Sequence, residues 1–420
     1  MPTALLNPQD YSEFLKRKKD RLFLNEIDLN QFLEKKETPV FIFSKSQLNA
    51  QYQKILDPFS KIGANSINIA FSVKSNPKAQ IIQQFLAIGS FFEVTSLGEM
   101  NHVLDIGGDP KKIIYTNIVK LDLTIERAIR SNIGYYAIDS YHDMIRLERI
   151  AKNEEKEINI LLRVNPLVEL GSTLFSCTGS RSKIGIPIDL NEHSKFMEII
   201  SYCKNSLFFN FVGIHVHLGS QILDIESYRK SMKIISNLLI FLEKRGIKLS
   251  ILDIGGGIPV NYGTPPPDPE VFALIIKEEF NIILNQLDII IESGRFLTAS
   301  AGVLVFSIAN IKQDSIGNEI ICLDGSFYNT IPDVIIANWS FPIINLIIRE
   351  NAPLIRYRLV GSTNDTLDSY QDTKTSDLTL VPLQKLSTSD KIVFLQAGAY
   401  SLSFNSSYCL EKRPKVYFLD

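Results

Sequence analysis

Polar residues close a succession of short apolar runs in this chain. Lys74 ends INIAFSVK, Glu93 lies in FFEVTS, Arg163 in INILLRVN, His217 in GIHVHLGS, and Glu292 and Arg295 in DIIIESGR. One polar residue at such a position is commonly a satisfied structural group, but five runs ending this way point to a site. A lysine drawn out of water at a strand end has its ammonium form disfavoured and becomes a usable amine nucleophile towards an aldehyde. The plainer alternative for Lys74 is a lysine that snorkels to solvent, and its company weighs against that.

LDIGGGIP sets Gly255, Gly256 and Gly257 directly after an apolar run. Glycines let a backbone come close to an anion and aim its N–H groups at it. The spacing is not that of a dinucleotide fingerprint. Arg295 in the next run adds a phosphate partner, so the two segments together point to a phosphorylated ligand. Glu292 beside a phosphate would be repelled by it, and makes sense facing a ring nitrogen that must stay protonated. His215 and His217 flank Val216. Strand alternation is expected to send one imidazole inward and one outward, which leaves open which of them functions.

These residues need a frame, and the sequence repeats one. Between residues 68 and 295, eight apolar runs alternate with amphipathic stretches: INIAFSVK, FFEVTS, KIIYTN, GYYAIDS, INILLRVN, GIHVHLGS, SILDIGGG and DIIIESGR. That alternation implies an α/β fold, a closed parallel (β/α)8 TIM barrel whose functional groups sit where strands end. Near-continuous apolar strands agree, because barrel strands are buried on both faces. PKAQIIQQFLAIG aligns Ile81, Ile82, Phe85, Leu86 and Ile88 on one helical face before Gly89. After about residue 300 the runs VLVFSIANI, NEIICLDG, LIRYRLVG, SDLTLVPL, DKIVFLQAGAY and KVYFLD have little helix between them, as in a mostly antiparallel β domain. The expected division is a barrel over 38–299 and a β domain over 300–420, with residues 1–37 associated with the latter. PVFIFS (39–44) falls outside the count of eight and is a candidate to pair with the β domain.

A formal charge of −2 and a balanced surface give no field for a nucleic acid. The longest charge-free stretches, 207–223 and 335–348, contain His, Gln, Asn, Trp or Pro and do not read as membrane spans. The N-terminal segment lacks the apolar core of a signal peptide, so a cytoplasmic location is expected. Cys177, Cys203, Cys322 and Cys409 share no ligand spacing with the five histidines. No metal is expected, and the thiols read as free and buried in a reducing compartment.

FSVKSNP, FFEVTSLGEM, LLRVNP, SKIGI, GIHVHLGSQ, LDIGGGIP, IIESGR and QAGAYSLSFN resemble, in order and spacing, the alanine-racemase-like pyridoxal-phosphate decarboxylases. That group includes diaminopimelate, ornithine and lysine decarboxylases and relatives in siderophore and antibiotic pathways. The resemblance runs from about residue 38 to 420. It implies pyridoxal 5'-phosphate as cofactor, Lys74 as the Schiff-base lysine, His217 as the imidazole stacked on the cofactor ring, and Glu292 as the partner of the pyridine nitrogen. It further implies Ser220, Gly256, Gly257, Gly294, Arg295 and Tyr400 around the phosphate, with Glu93, Glu99 and Arg163 beneath the ring. A homodimer with shared sites is implied too, with 361–368 and Tyr400 serving the partner subunit.

Three departures bear on substrate and mechanism. GSTNDTLD puts Asn364 where the family carries a catalytic cysteine regarded as the proton donor, and an amide is no acid. Ile336 stands where ornithine-type enzymes hold an acidic residue for a distal ammonium, and Ile331 where diaminopimelate decarboxylases place an arginine. Asp365 is retained, as a candidate catalytic and substrate residue beside Asn364. The leading expectation is therefore an amino-acid decarboxylase acting on a conjugate, as in siderophore or natural-product assembly, with free ornithine, lysine and diaminopimelate turned over poorly. A diaminopimelate or basic amino-acid decarboxylase with altered contacts is the alternative. A non-catalytic regulatory paralogue is a third reading, disfavoured by the retained Lys74, His217 and Glu292.

Overall fold

The computed structural model describes residues 5–171, 175–370 and 379–420. The chain divides into two compact units, one of residues 52–259 and 266–296, the other of residues 1–51, 260–265 and 297–420.

The first unit is the expected barrel. Its parallel strands are β1 (Ser66–Ser72), β2 (Phe91–Val94), β3 (Ile113–Tyr115), β4 (Tyr135–Ile138), β5 (Ile158–Asn165), β6 (Phe209–His215), β7 (Ile251–Asp253) and β8 (Asp288–Ser293). Each pairs with the next in the chain, and β8 pairs with β1 to close the ring. A two-residue strand, Ile186–Pro187, adds to β5. Helices fill the intervals, and side chains at their starts satisfy the orphan N–H groups there. Ser96 accepts from Glu99, Ser140 from Asp143, Ser194 from Met197 and Asp224 from Ser227. The helix Ala79–Ala87 buries Ile81, Ile82 and Phe85, and Gly89 stops it at a φ of +79°.

The interior is layered by strand parity. Ala70 (β1), Ile114 (β3), Leu161 (β5) and Ile251 (β7) are buried together, with Ile290 (β8), Phe91 (β2), Tyr135 (β4) and Val212 (β6) packed against them. This is how eight parallel strands fill a barrel, odd and even strands contributing alternate layers. Residues two apart on a strand share a face. The inward face two positions on therefore carries Ser72, Glu93, Thr116, Arg163, Asp253 and Glu292. In β6 a register shift between Phe211 and Gly213 resets the count and aligns His215 with Arg163 and Asp253.

The second unit is mainly antiparallel, with a parallel pair between Glu319–Leu323 and Leu354–Val360. Val40–Ser44, the PVFIFS run, pairs antiparallel with Gly302–Gln313 and parallel with Lys415–Leu419. Residues 38–51, expected with the barrel, therefore fold with the β unit. Residues 15–28 form a small antiparallel sheet that the sequence did not announce. Leu15, Leu22 and Leu24 from it share a core with Val40, Ile42, Val303, Val305 and Val393. The thiols do not follow the expectation of burial: Cys203 is buried, but Cys177 and Cys322 are partly accessible and Cys409 is exposed. Among the described residues no helix is long and apolar enough to cross a membrane.

The barrel wall also holds a buried ion pair, Lys120 Nζ to Asp143 Oδ2 at 2.5 Å, with side chains 0% and 5% exposed. Removing one partner of such a pair strands the other charge, so Lys120→Met should lower urea-unfolding stability by about 3–5 kcal/mol. Lys120→Met/Asp143→Asn should recover much of that loss, because no lone charge is left inside.

Candidate active site

The residues singled out in the barrel runs converge at the C-terminal end of the strands. Lys74 sits in a single 3-10 turn, Val73–Ser75, directly after β1. Its Nζ is hydrogen-bonded to Glu93 Oε2, and Glu93 Oε1 accepts from the Thr116 hydroxyl. Arg163 donates to Thr116 O at 3.1 Å and lies 3.7 Å from Asp139 Oδ1. A belt of linked polar groups thus runs over five consecutive strand ends, from Lys74 to Arg163. The lysine is not desolvated as expected: its side chain is 36% exposed and paired with a carboxylate.

His215 and His217 do not diverge. Positions two apart in a strand face the same side, and both imidazoles act electrostatically on Glu292. His215 Nε2 lies 3.1 Å from Glu292 Oε2, both side chains being buried. His217 Nδ1 accepts from Gly256 N at 3.1 Å. Burial, reinforced by the Arg163 and Lys74 cations, pushes His217 down to about 3, so its ring is neutral.

Asp253 joins this group, and sequence reasoning passed over it. His215, Asp253 and Glu292 each bring a donor atom to within 4.8 Å of the others. Burial raises Glu292, but the His215 charge and hydrogen bond outweigh that and bring it to about 2. Burial and then the Glu292 charge raise Asp253 well above the carboxylate range. One carboxyl is therefore anionic and its neighbour protonated, as for two acids sharing one site. Asp253 stands two residues after inward-facing Ile251, and that spacing was the available signal.

Next to this cluster lies a backbone cradle. A Cβ on Gly256 would meet Glu292 O at 2.1 Å, one on Gly257 would meet Ile222 Cδ1 at 2.5 Å, and one on Gly294 would meet Ser75 Cβ at 2.9 Å. Gly255 and Gly257 also adopt φ of +65° and +106°, which disfavours side chains. Arg295 Nε donates to Ser220 Oγ at 3.1 Å. Glu99 accepts from Thr95 N at 2.7 Å and Thr95 Oγ1 at 3.0 Å at the start of its helix, where the Glu93 and Lys74 charges act on it.

Other expected site residues belong to the β unit. Asp365 accepts from Tyr408 at 2.9 Å and from Tyr328 at 3.3 Å, while Asn364 is exposed. Ile331 is fully buried, Ile336 is 70% exposed, and the Tyr400 ring stacks against Phe404.

Fold and rim together define a barrel enzyme built around an amine, an anion cradle and a buried carboxylate. The chain belongs to the pyridoxal-dependent decarboxylases, the model of whose pyridoxal-binding domain it matches over residues 45–299. It is a pyridoxal-phosphate-dependent carboxy-lyase acting on an amino acid. The diaminopimelate decarboxylase of Pseudomonas aeruginosa is 27% identical over 95% of this chain and 92% of its own length, and that of Haemophilus influenzae 27% over 97% and 94%. In fold the chain is similar to a crystal structure of diaminopimelate decarboxylase from M. jannaschi, with a TM-score of 0.88 at 22% identity over 98% of this chain and 93% of that one. The lysine/ornithine decarboxylase of Vibrio vulnificus complexed with putrescine superposes with a TM-score of 0.78 at 20% identity, over 93% and 97%. The residues present fit the cofactor. Glu292 Oε1 is a buried acceptor with no hydrogen-bond partner among the described residues, and the glycine cradle leaves no room for side chains beside it.

The depressed His217 gives a pH test. Between about 3 and its ordinary 6.5 the unfolded chain binds a proton that the folded chain does not. Stability of the cofactor-free protein should therefore fall as pH drops through that window, and the fall should be shallower in His217→Gln. Urea titrations at pH 7, 6 and 5 measure the difference.

Proposed function

We propose that this enzyme removes the α-carboxylate of diaminopimelate or a close relative, with Lys74 carrying the cofactor. The observation behind the site is the rim itself: Lys74, paired with Glu93, follows the strand next to the one that carries the buried, anionic Glu292. The substrate rests on the full-length likeness to diaminopimelate decarboxylases. It displaces the conjugate as the leading reading.

In this proposal Ser220, Gly256, Gly257, Gly294, Arg295 and Tyr400 hold the phosphate, and Glu292 holds a proton on the ring nitrogen. Bound there, pyridoxal phosphate supplies an electron sink for the pair left when the carboxylate departs. Glu292 can do its part because the His215 charge and hydrogen bond keep it ionised against the pull of burial. His217 presents a neutral ring and adds no competing cation. Glu93 receives or returns the Lys74 proton as the amine is taken up and released, and Thr116 orients that carboxylate.

A specific observation keeps the conjugate as a second reading. Ile331 is fully buried and apolar, so it offers a distal carboxylate no donor, and the exposed Ile336 offers an ammonium no anion. CO2 release from meso-diaminopimelate, ornithine, lysine and an acylated diamino acid separates the two. Diaminopimelate should exceed ornithine and lysine in kcat/KM by about tenfold or more. Preferred turnover of the acylated compound would instead establish the conjugate reading.

The shared-site homodimer is part of the same proposal, supported by the resemblance of 361–368 and Tyr400 to partner-serving segments. Mixing inactive Lys74→Ala with inactive Tyr400→Phe/Asp365→Ala protein should restore part of the activity. Full wild-type activity in a species that sediments as a monomer would refute it.

A further inference from the structure

Departure of the carboxylate leaves an electron pair on Cα, and the reaction ends only when a proton reaches that carbon. Three of the groups at the barrel rim are poor donors. His217, at about 3, holds no second proton near neutrality. Glu292, at about 2, is an anion. Arginine is far too weak an acid.

A thiol stands in the same rim. The stretch Phe175–Thr178 runs from the end of β5 to the turn after His217. Thr178 Oγ1 donates to Asn165 Oδ1 at 2.9 Å, Cys177 N to Leu218 O at 2.8 Å, and Ser220 N to Phe175 O at 3.2 Å. Ser176 forms an antiparallel bridge with Gly219. Neighbouring side chains in extended backbone point to opposite sides. Ser176 is exposed, so Cys177 turns the other way and is partly buried. The charged groups acting on its sulfur are Arg163, Lys74 and Lys183. Burial outweighs all three and lifts the thiol above its ordinary 9.0, keeping it protonated at neutral pH. At rest the sulfur is 3.7 Å from Phe175 O, a weak contact that is readily given up. Arg163 Nε, on the same rim, is buried without a hydrogen bond among the described residues and lies 3.7 Å from Asp139 Oδ1.

We propose that Cys177 is the acid that returns the proton to Cα, an inference that rests on the decarboxylase reading above. The bond from Cα to the carboxylate carbon breaks, and CO2 leaves. The electron pair retained by Cα takes the proton from Sγ as the new C–H bond forms, and the thiolate is reprotonated from water.

Two measurements on holoenzyme test this. Iodoacetamide alkylation followed by peptide mass spectrometry should show Cys177 slowed by about tenfold at saturating L-lysine as the ligand covers the thiol, with exposed Cys409 unchanged. This measurement needs no variant. In D2O, proton NMR follows hydrogen exchange at the amine-bearing terminal carbon, Cε of L-lysine and C1 of putrescine and cadaverine, the microscopic reverse of the final step. Cys177→Ala should lose about a hundredfold of the wild-type exchange, the usual worth of a positioned acid, with cofactor absorbance unchanged and Cys177→Ser similarly impaired, since an alcohol is a far weaker acid than a thiol. Exchange in Cys177→Ala within about threefold of wild type, or Cys177 left unprotected by every one of these ligands, overturns the assignment while the decarboxylase reading stands. Wild-type enzyme that exchanges none of the three overturns the proposed diaminopimelate-type substrate, and the inference that rests on it.

Discussion

Charge at the top of this barrel stands on an apolar floor. Leu161 and Arg163, Ile251 and Asp253, Ile290 and Glu292, and Phe91 and Glu93 are consecutive inward positions on their strands. The apolar layer directly beneath the rim offers no partner, so each ionisable group there must find one sideways, on a nearby strand end. That constraint produces the Lys74–Glu93 and His215–Glu292 pairs and the Arg163–Asp139 contact. An ionised carboxylate left alone at such a depth would neutralise instead.

The same constraint sorts protonation states within a few ångströms. Glu292 and Asp253 are both carboxyls and both buried, yet His215 brings the first to about 2 while the charge of Glu292 helps drive the second upward. His217, one turn of backbone beyond, is neutral because burial and two cations oppose its charging. An anion, a neutral acid and a neutral imidazole thus occur side by side, each set by its neighbours. Sequence spacing alone cannot assign such states, since they depend on which strand ends become adjacent on closure.

Much of the frame was legible, for a physical reason. All eight apolar runs became barrel strands, because burial on both faces writes an unmistakable composition. Glycine positions were legible too, since a Cβ at Gly256 or Gly294 has nowhere to go. Local alternation failed at His215 and His217, which share a face. It also missed Asp253, whose importance lies in Glu292 on the neighbouring strand. The accessibility of Lys74 was misjudged because Glu93 comes from another strand. The pairing of residues 40–44 with 302–313 and 415–419 joins segments hundreds of residues apart, and only the suspicion that PVFIFS lay outside the barrel count hinted at it. The departures at Ile331, Ile336 and Asn364 were visible, but a missing partner says what a substrate lacks rather than what it is.

Everything above turns on one nitrogen. Reducing the holoenzyme with borohydride should abolish its visible absorbance and leave a pyridoxyl group on the peptide that contains Lys74, located by tandem mass spectrometry. Lys74→Ala should carry none. A pyridoxyl group on a different lysine of the wild-type protein, or no adduct at all, would contradict the assignment of Lys74 as the residue that holds the cofactor.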